Sequence, residues 1–175
     1  MIEWVKPGGD VSDAWESNAE QWLAWARTPG HDIYFWQVNW PAFRELLPHA
    51  GRRTLDLGCG EGRVGRELAR AGHRVLGLDS SPTLAALARE AGGYEEVVCA
   101  NASALPWPED YCELAIAFMP LQDMEDPAAA MLRARKQHKR PTSPRSASAR
   151  ATRGTRAPPT RGSASTRPAS STRSR

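Results

Sequence analysis

The sequence predicts an α/β domain built on a doubly wound parallel sheet, on three observations. An apolar strand, Thr54-Leu55-Asp56-Leu57, runs straight into a loop with glycine at positions 58, 60 and 62. A segment with helical spacing follows, placing Val64, Leu68 and Ala71 on one face and Gly72 where a helix stops. A second apolar strand, Arg74 to Leu78, then ends on Asp79, 21 residues beyond Gly58. Strand, glycine loop, helix and an acidic strand end are the nucleotide-binding start of such a sheet.

Taken along the chain, the elements begin with an aromatic preamble. Six of the seven tryptophans, Trp4, Trp15, Trp22, Trp25, Trp36 and Trp40, fall in the first forty residues. Trp15, Ala19, Trp22 and Ala26 share a helical face that would pack on the domain, and Asp13 with Glu16 reads as its capping pair. Residues 1–50 are therefore expected to be an N-terminal helical segment. Strands follow near 53–58, 74–79, 95–100 and 114–119, with crossover helices between them. The helix after the second strand has its start marked by Ser81 as N-cap and Pro82 at the first helical position. Leu114 to Met119 is apolar throughout, as for a strand covered on both faces.

The chemistry sits in the glycine loop and at Asp79. A Cβ in the loop would bar positive φ and keep ligand atoms away from the main chain, so Gly58, Gly60 and Gly62 point to a nucleotide-like ligand. A carboxylate about 20 residues past such glycines is the usual partner of a ribose, and because Ser81 already supplies the helix cap, Asp79 is expected to be free for that task. The dinucleotide pattern G-x-G-x-x-G would want glycine at 63, where Arg63 stands, which disfavours a nicotinamide-dependent oxidoreductase.

Leu55-Asp56-Leu57-Gly58-Cys59-Gly60-Glu61-Gly62, followed by Gly72-His73-Arg74-Val75-Leu76-Gly77-Leu78-Asp79-Ser80-Ser81-Pro82, resembles motifs I and II of the class I S-adenosylmethionine-dependent methyltransferases of small-molecule type. The resemblance covers residues 10–132 and implies a Rossmann-like sheet with strand order 3-2-1-4. It also implies that Gly58, Cys59, Gly60 and Gly62 line the methionine part of S-adenosylmethionine, that Asp56 supports the loop from the strand end, and that Asp79 with Ser80 takes the ribose. Asn101 and Ala102 match the family's adenine-contacting pair. Asn101 stands where Asp is usual and would accept from the adenine amino group through its amide oxygen. Phe118 and Met119 fall at the cofactor-facing end of the fourth strand, where core packing is the competing role. The family's N-terminal helices form part of a lid, for which Trp25, His31 and Tyr34 are candidates. The implied reaction is methyl transfer to a small-molecule acceptor, needing alignment above all, so no general base is named.

The end of the chain differs in kind from its beginning. From Pro141 to Arg175 only Pro, Thr, Ser, Arg, Ala and Gly occur, and such a segment cannot bury enough surface to offset its ordering entropy. Residues 133–175 are expected to be a disordered basic tail. Thirteen of the 23 basic residues lie there, so the tail carries +13, whereas ten basic and twenty acidic residues give 1–132 a charge of −10. A tail of that charge could bind nucleic acid non-specifically through counterion release. Those six residue types also share G or C at the second codon position, as when a GC-rich gene is read out of frame, which would place a lost frame between Arg133 and Arg140 and leave a sheet of the first four strands.

Cys59, Cys99 and Cys112 lack metal-ligand or redox spacing and read as reduced, buried thiols. His49, His73 and His138 have no carboxylate at a catalytic spacing. No run approaches the ~20 apolar residues needed to cross a bilayer, and no targeting segment is visible, so a cytoplasmic location is expected.

Overall fold

The computed structural model describes residues 10–49 and 51–138. The expected tail beyond His138 lies outside the described residues. Helix α1 spans Val11–Arg27, and a π-helical turn over Phe35–Asn39 leads into the short α2, Trp40–Glu45. The cap of α1 differs from the sequence expectation: Asp10 is the N-cap, its Oδ1 accepting from the Asp13 backbone N–H at 2.9 Å. Asp13 lies in the first turn, and Glu16 leaves the helix for another partner.

Four strands follow, β1 (Arg53–Leu57), β2 (Arg74–Asp79), β3 (Glu96–Cys99) and β4 (Leu114–Ile116), all parallel and ordered β3-β2-β1-β4 as expected. The connecting helices are α3 (Arg63–Arg70), α4 (Pro82–Ala91) and, after β4, α5 (Pro127–Gln137). Gly72, with φ +87°, ends the α3 segment, and the His73 N–H returns to the Leu68 carbonyl. Ser81 caps α4 by accepting from the Leu84 N–H at 3.1 Å.

Side-chain alternation divides the sheet into two buried faces. Leu55 and Leu57 pair with Leu76 and Leu78 and pack with Trp107, Ala130 and Ala134. Val75 and Ile116 point the other way, onto Val64 and Leu68 of α3 and onto Phe35 and Trp40. Both layers are apolar, which is why the strands read as near-continuous hydrophobic runs.

α5 corrects the boundary drawn at residue 133. Its cap, Asp126, accepts from the Ala129 N–H at 2.8 Å, and Ala130, Ala134 and Gln137 form a buried stripe at intervals of three to four residues. Gln137 Nε2 donates to the Trp107 carbonyl at 2.8 Å, and the Cys112 N–H donates to the Gln137 carbonyl at 2.9 Å. Arg133 to Gln137 are thus the last turns of a core helix. The basic residues that suggested a tail, Arg135 and Lys136, occupy the last turn, where cations complement the helix dipole.

Cys59 and Cys112 are buried as expected, but Cys99 is exposed, because it closes β3 at the sheet edge. Among the described residues, no helix is long and apolar enough to cross a membrane.

Candidate functional site

The carboxyl ends of the strands open onto a cavity of about 530 Å³. Gly58, Cys59 and Gly60 form its floor, Asp79 and Ser80 one side, and Asn101 and Ala102 the next, while Phe118 and Met119 line it from the bend just past β4, which ends at Ile116 rather than at the expected 119. Nine of the eleven residues singled out from the sequence are brought together here. Asp56 and Gly62 are not among the lining residues.

The two exceptions share one cause, Tyr94. Its ring lies behind the glycine loop, and its hydroxyl donates to Asp56 Oδ2 at 2.9 Å. A Cβ on Gly62 would come within 3.0 Å of the ring, and one on Gly77 within 2.8 Å. On Gly65 it would lie 2.0 Å from the ring carbon that bears the hydroxyl. Gly62 is also the N-cap of α3, with φ +87°. Tyr94 and the left-handed turn each require glycine at 62, which lies outside the cavity lining.

Gly58 and Gly60 differ from Gly62 and from each other. Gly58 (φ +65°) passes so close to Pro120 that a Cβ would sit 2.5 Å from the proline Cβ. Gly60 (φ +55°) has nothing within 4 Å of where a Cβ would stand, so its bare backbone borders open space. Opposite, Met119 adopts φ +67°, a strained conformation for a side chain of its size, and is half exposed. Phe118 serves both roles weighed for it, since it lines the cavity and its ring packs at 4.8 Å from Phe43 and 5.6 Å from Phe35.

Asp79 is less free than the sequence suggested. Its Oδ2 accepts the Gly60 N–H at 2.7 Å and its Oδ1 the Ser81 N–H at 3.0 Å. The carboxylate therefore holds the glycine loop to the start of α4, and only its remaining lone pairs face outward. Burial pushes the Asp79 carboxyl above its ordinary range, opposed by those N–H donors. Asn101 is constrained likewise: its Oδ1 accepts from both the Ser103 N–H (2.9 Å) and the Ser103 hydroxyl (2.8 Å). Both lone pairs of the oxygen are thereby engaged, and among the described residues the amide nitrogen makes no hydrogen bond.

The wall facing the glycine loop is α1, through Val11, Ser12, Ala14, Trp15 and Trp22. The expected lid aromatics lie elsewhere: Trp25 stacks on Trp22 with 5.2 Å between ring centroids, His31 lies beyond Trp25, and Tyr34 is exposed. The signal was present in the shared face of Trp15 and Trp22, but a face that lines a cavity has the same period as one that packs on a core. Arg63, at the position that broke the dinucleotide pattern, pairs with Asp32 at 2.5 Å and lies 3.8 Å from the Phe35 ring centroid. Glu61 is held in turn by Arg66 at 2.9 Å and Arg27 at 3.3 Å. The Arg63–Asp32 and Arg27–Glu61 pairs, 31 and 34 residues apart, tie the N-terminal segment to the loop and left no local sequence signal. On the fourth side, Gln122 and Asp123 come from a 3₁₀ turn, Leu121–Asp123, and Met124 from the residue that follows it, and burial raises the Asp123 carboxyl above its ordinary value.

Asp56 supports a pH prediction. It is fully buried, and burial is the main cause that lifts its carboxyl from 3.8 to about 7, while the Tyr94 hydroxyl opposes the rise. A carboxyl raised on folding stabilises the fold when protonated, and that contribution is lost as pH rises through about 7. The gap is worth up to ~4 kcal/mol. The Asp56→Asn chain is expected to lose less stability than the wild type between pH 4.5 and pH 8. Urea midpoints across that range check this, and parallel curves for the two chains would refute it.

Residues 55–140 match the family model for the methyltransferase domain. The chain belongs to the class I S-adenosylmethionine-dependent methyltransferases. This methyltransferase-family chain is 32% identical over 124 residues to the ubiquinone biosynthesis O-methyltransferase of Ralstonia nicotianae, an alignment covering 67% of this chain and 48% of that protein. It spans about half the length of the curated relatives it matches. Among solved structures it is similar to an S-adenosylmethionine-dependent methyltransferase from Mesorhizobium loti, with 37% identity, a TM-score of 0.51, and coverage of 58% of this chain and 48% of that one. The [4+2]-cyclase SpnF superposes with a TM-score of 0.61 over 76% of this chain and 58% of its own, at 22% identity, a likeness of fold alone.

Proposed function

We propose that this chain binds S-adenosylmethionine in the cavity at the strand ends and aligns its methyl group with a small-molecule acceptor. The observation that carries the reading is the open backbone of Gly60 beside the Asp79 carboxylate, both at the rim of one cavity. A ligand can approach the main chain there as no side chain would allow. The volume, about 530 Å³, lies within the range of cofactor pockets.

In this reading Gly58, Cys59 and Gly60 border the methionine part, Asp79 and Ser80 meet the ribose, and Asn101, through its amide nitrogen, and Ala102 meet the adenine. Asp56 and Gly62 shape the floor from behind through Tyr94. S-adenosylmethionine supplies an electrophilic methyl group on its sulfonium. The work of the chain is then to hold donor and acceptor in line, for which α1 and the turn after β4 exclude water on opposite sides. Residues 1–50 act as the lid segment and 51–132, with the rest of α5, as the cofactor domain.

The test is calorimetric titration of S-adenosylmethionine, and separately of a nicotinamide dinucleotide, into the full chain. Saturable binding of the first and no heat from the second is the expected result. Binding of the dinucleotide, or of neither, would overturn the reading.

A further inference from the structure

Glu16 is the one acidic side chain of α1 that leaves its own helix and crosses to another element of the fold. It reaches the start of α4, where Oε2 accepts the Ser81 hydroxyl and the Thr83 N–H (3.1 Å) and Oε1 accepts the Thr83 hydroxyl (2.6 Å). Among the described residues no cation pairs with it. The three donors and the N-terminal end of α4 supply the compensation instead. They outweigh the opposing effect of burial, so its carboxyl stays below the ordinary value.

The position of this contact gives it more than a structural meaning. Ser81, which Glu16 holds by the hydroxyl, donates its own N–H to Asp79, and the second oxygen of Asp79 holds the Gly60 N–H. One hydrogen-bonded path thus runs from the cavity wall through Ser81 and Asp79 to the glycine loop. On α1, Ser12, Ala14 and Trp15 lie within four residues of Glu16 and line the cavity. Nearby, Ala19 and Asn18 are buried and keep the middle of the helix in place. The first two turns have Glu16 as their link to the strand end that carries Asp79.

We infer that Glu16 is a positioning residue for the ligand: it fixes the first turns of α1 as a wall of the cavity and couples their closure to the carboxylate of Asp79. The ligand part of this inference rests on the reading under Proposed function, whereas the clamp itself does not. A ligand seated against Asp79 and Trp15 favours the clamped arrangement, and the clamp in turn favours the ligand by reciprocal linkage.

The experiment compares the full chain with its Glu16→Ala and Glu16→Gln variants in two measurements. In the first, without ligand, amide hydrogen exchange in residues 11–20 is expected to speed up about ten-fold in Glu16→Ala, as for a local opening made easier by losing its hydrogen bonds, while β1 and β2 stay unchanged. Glu16→Gln, whose amide oxygen can still accept from the Ser81 hydroxyl and the Thr83 N–H while the Thr83 hydroxyl turns to accept from its nitrogen, should fall between. In the second, S-adenosylhomocysteine titrated by calorimetry should bind Glu16→Ala about ten-fold more weakly, again with Glu16→Gln between. Unchanged exchange in Glu16→Ala overturns the clamp. Faster exchange with unchanged affinity overturns its coupling to the ligand. Should the wild-type chain itself take up no S-adenosylhomocysteine, the cofactor reading and the coupling both fall, and the exchange measurement still decides the clamp.

Discussion

Replacing Asp79 with alanine will weaken S-adenosylmethionine binding by roughly 100-fold or more, beyond the reach of an ordinary calorimetric titration. Hydrogen bonds to a charged group contribute about 1.5–3 kcal/mol each, and a ribose would take two of them, so their joint loss alone reaches that factor. The carboxylate also holds the Gly60 and Ser81 N–H groups, so its removal leaves two donors without a partner and loosens the loop that the ligand must approach. Stability should fall with binding, by about 1–3 kcal/mol for each orphaned donor. An Asp79→Asn chain separates the two effects, since its amide oxygen keeps one of the internal bonds while the negative charge is gone. Circular dichroism and urea melts establish that the variants fold, and a folded Asp79→Ala chain with the titration curve of the wild type would refute the placement of the ligand.

The second large effect is expected at a residue that touches no ligand. Gly65→Ala puts a Cβ 2.0 Å from the hydroxyl-bearing carbon of Tyr94, whose ring also passes close to Gly62 and Gly77 and packs with Cys59. Expelling the ring breaks its hydrogen bond to the buried Asp56 as well as its packing. A loss above roughly 3 kcal/mol follows from overpacking and an unsatisfied buried polar group together. The diagnostic is a double-mutant cycle: in a Tyr94→Ala background the alanine at 65 meets no ring, and its cost should shrink below about 1 kcal/mol. Equal costs in the two backgrounds, measured by urea unfolding, would show that Tyr94 does not set the requirement for glycine.

What was legible in the sequence follows from periodicity and short-range chemistry. Apolar runs marked the four strands, Gly72 and Ser81-Pro82 marked helix ends, and the strand–glycine loop–strand segment located the cavity floor and Asp79, because each of these depends on neighbours within about twenty residues. The tail boundary was misplaced because α5 continues on alanines at 130 and 134, which are too small to stand out in an apolar pattern, while its basic residues mimic the composition beyond it.

By itself the sequence determined the parallel α/β core and the end of the sheet at which its cavity opens, since strand patterning and the glycine loop leave few ways to arrange the chain. Only the tertiary structure decided what each polar group near that end is committed to. Asp79 and the Asn101 oxygen are engaged by backbone N–H and hydroxyl donors, Gly62 and Gly65 make room for Tyr94, and Trp15 rather than Trp25 faces the cavity. The physical reason is distance along the chain. Glu16 meets Ser81 across 65 residues and Arg63 meets Asp32 across 31, and contacts between residues so far apart have no period for a sequence to display.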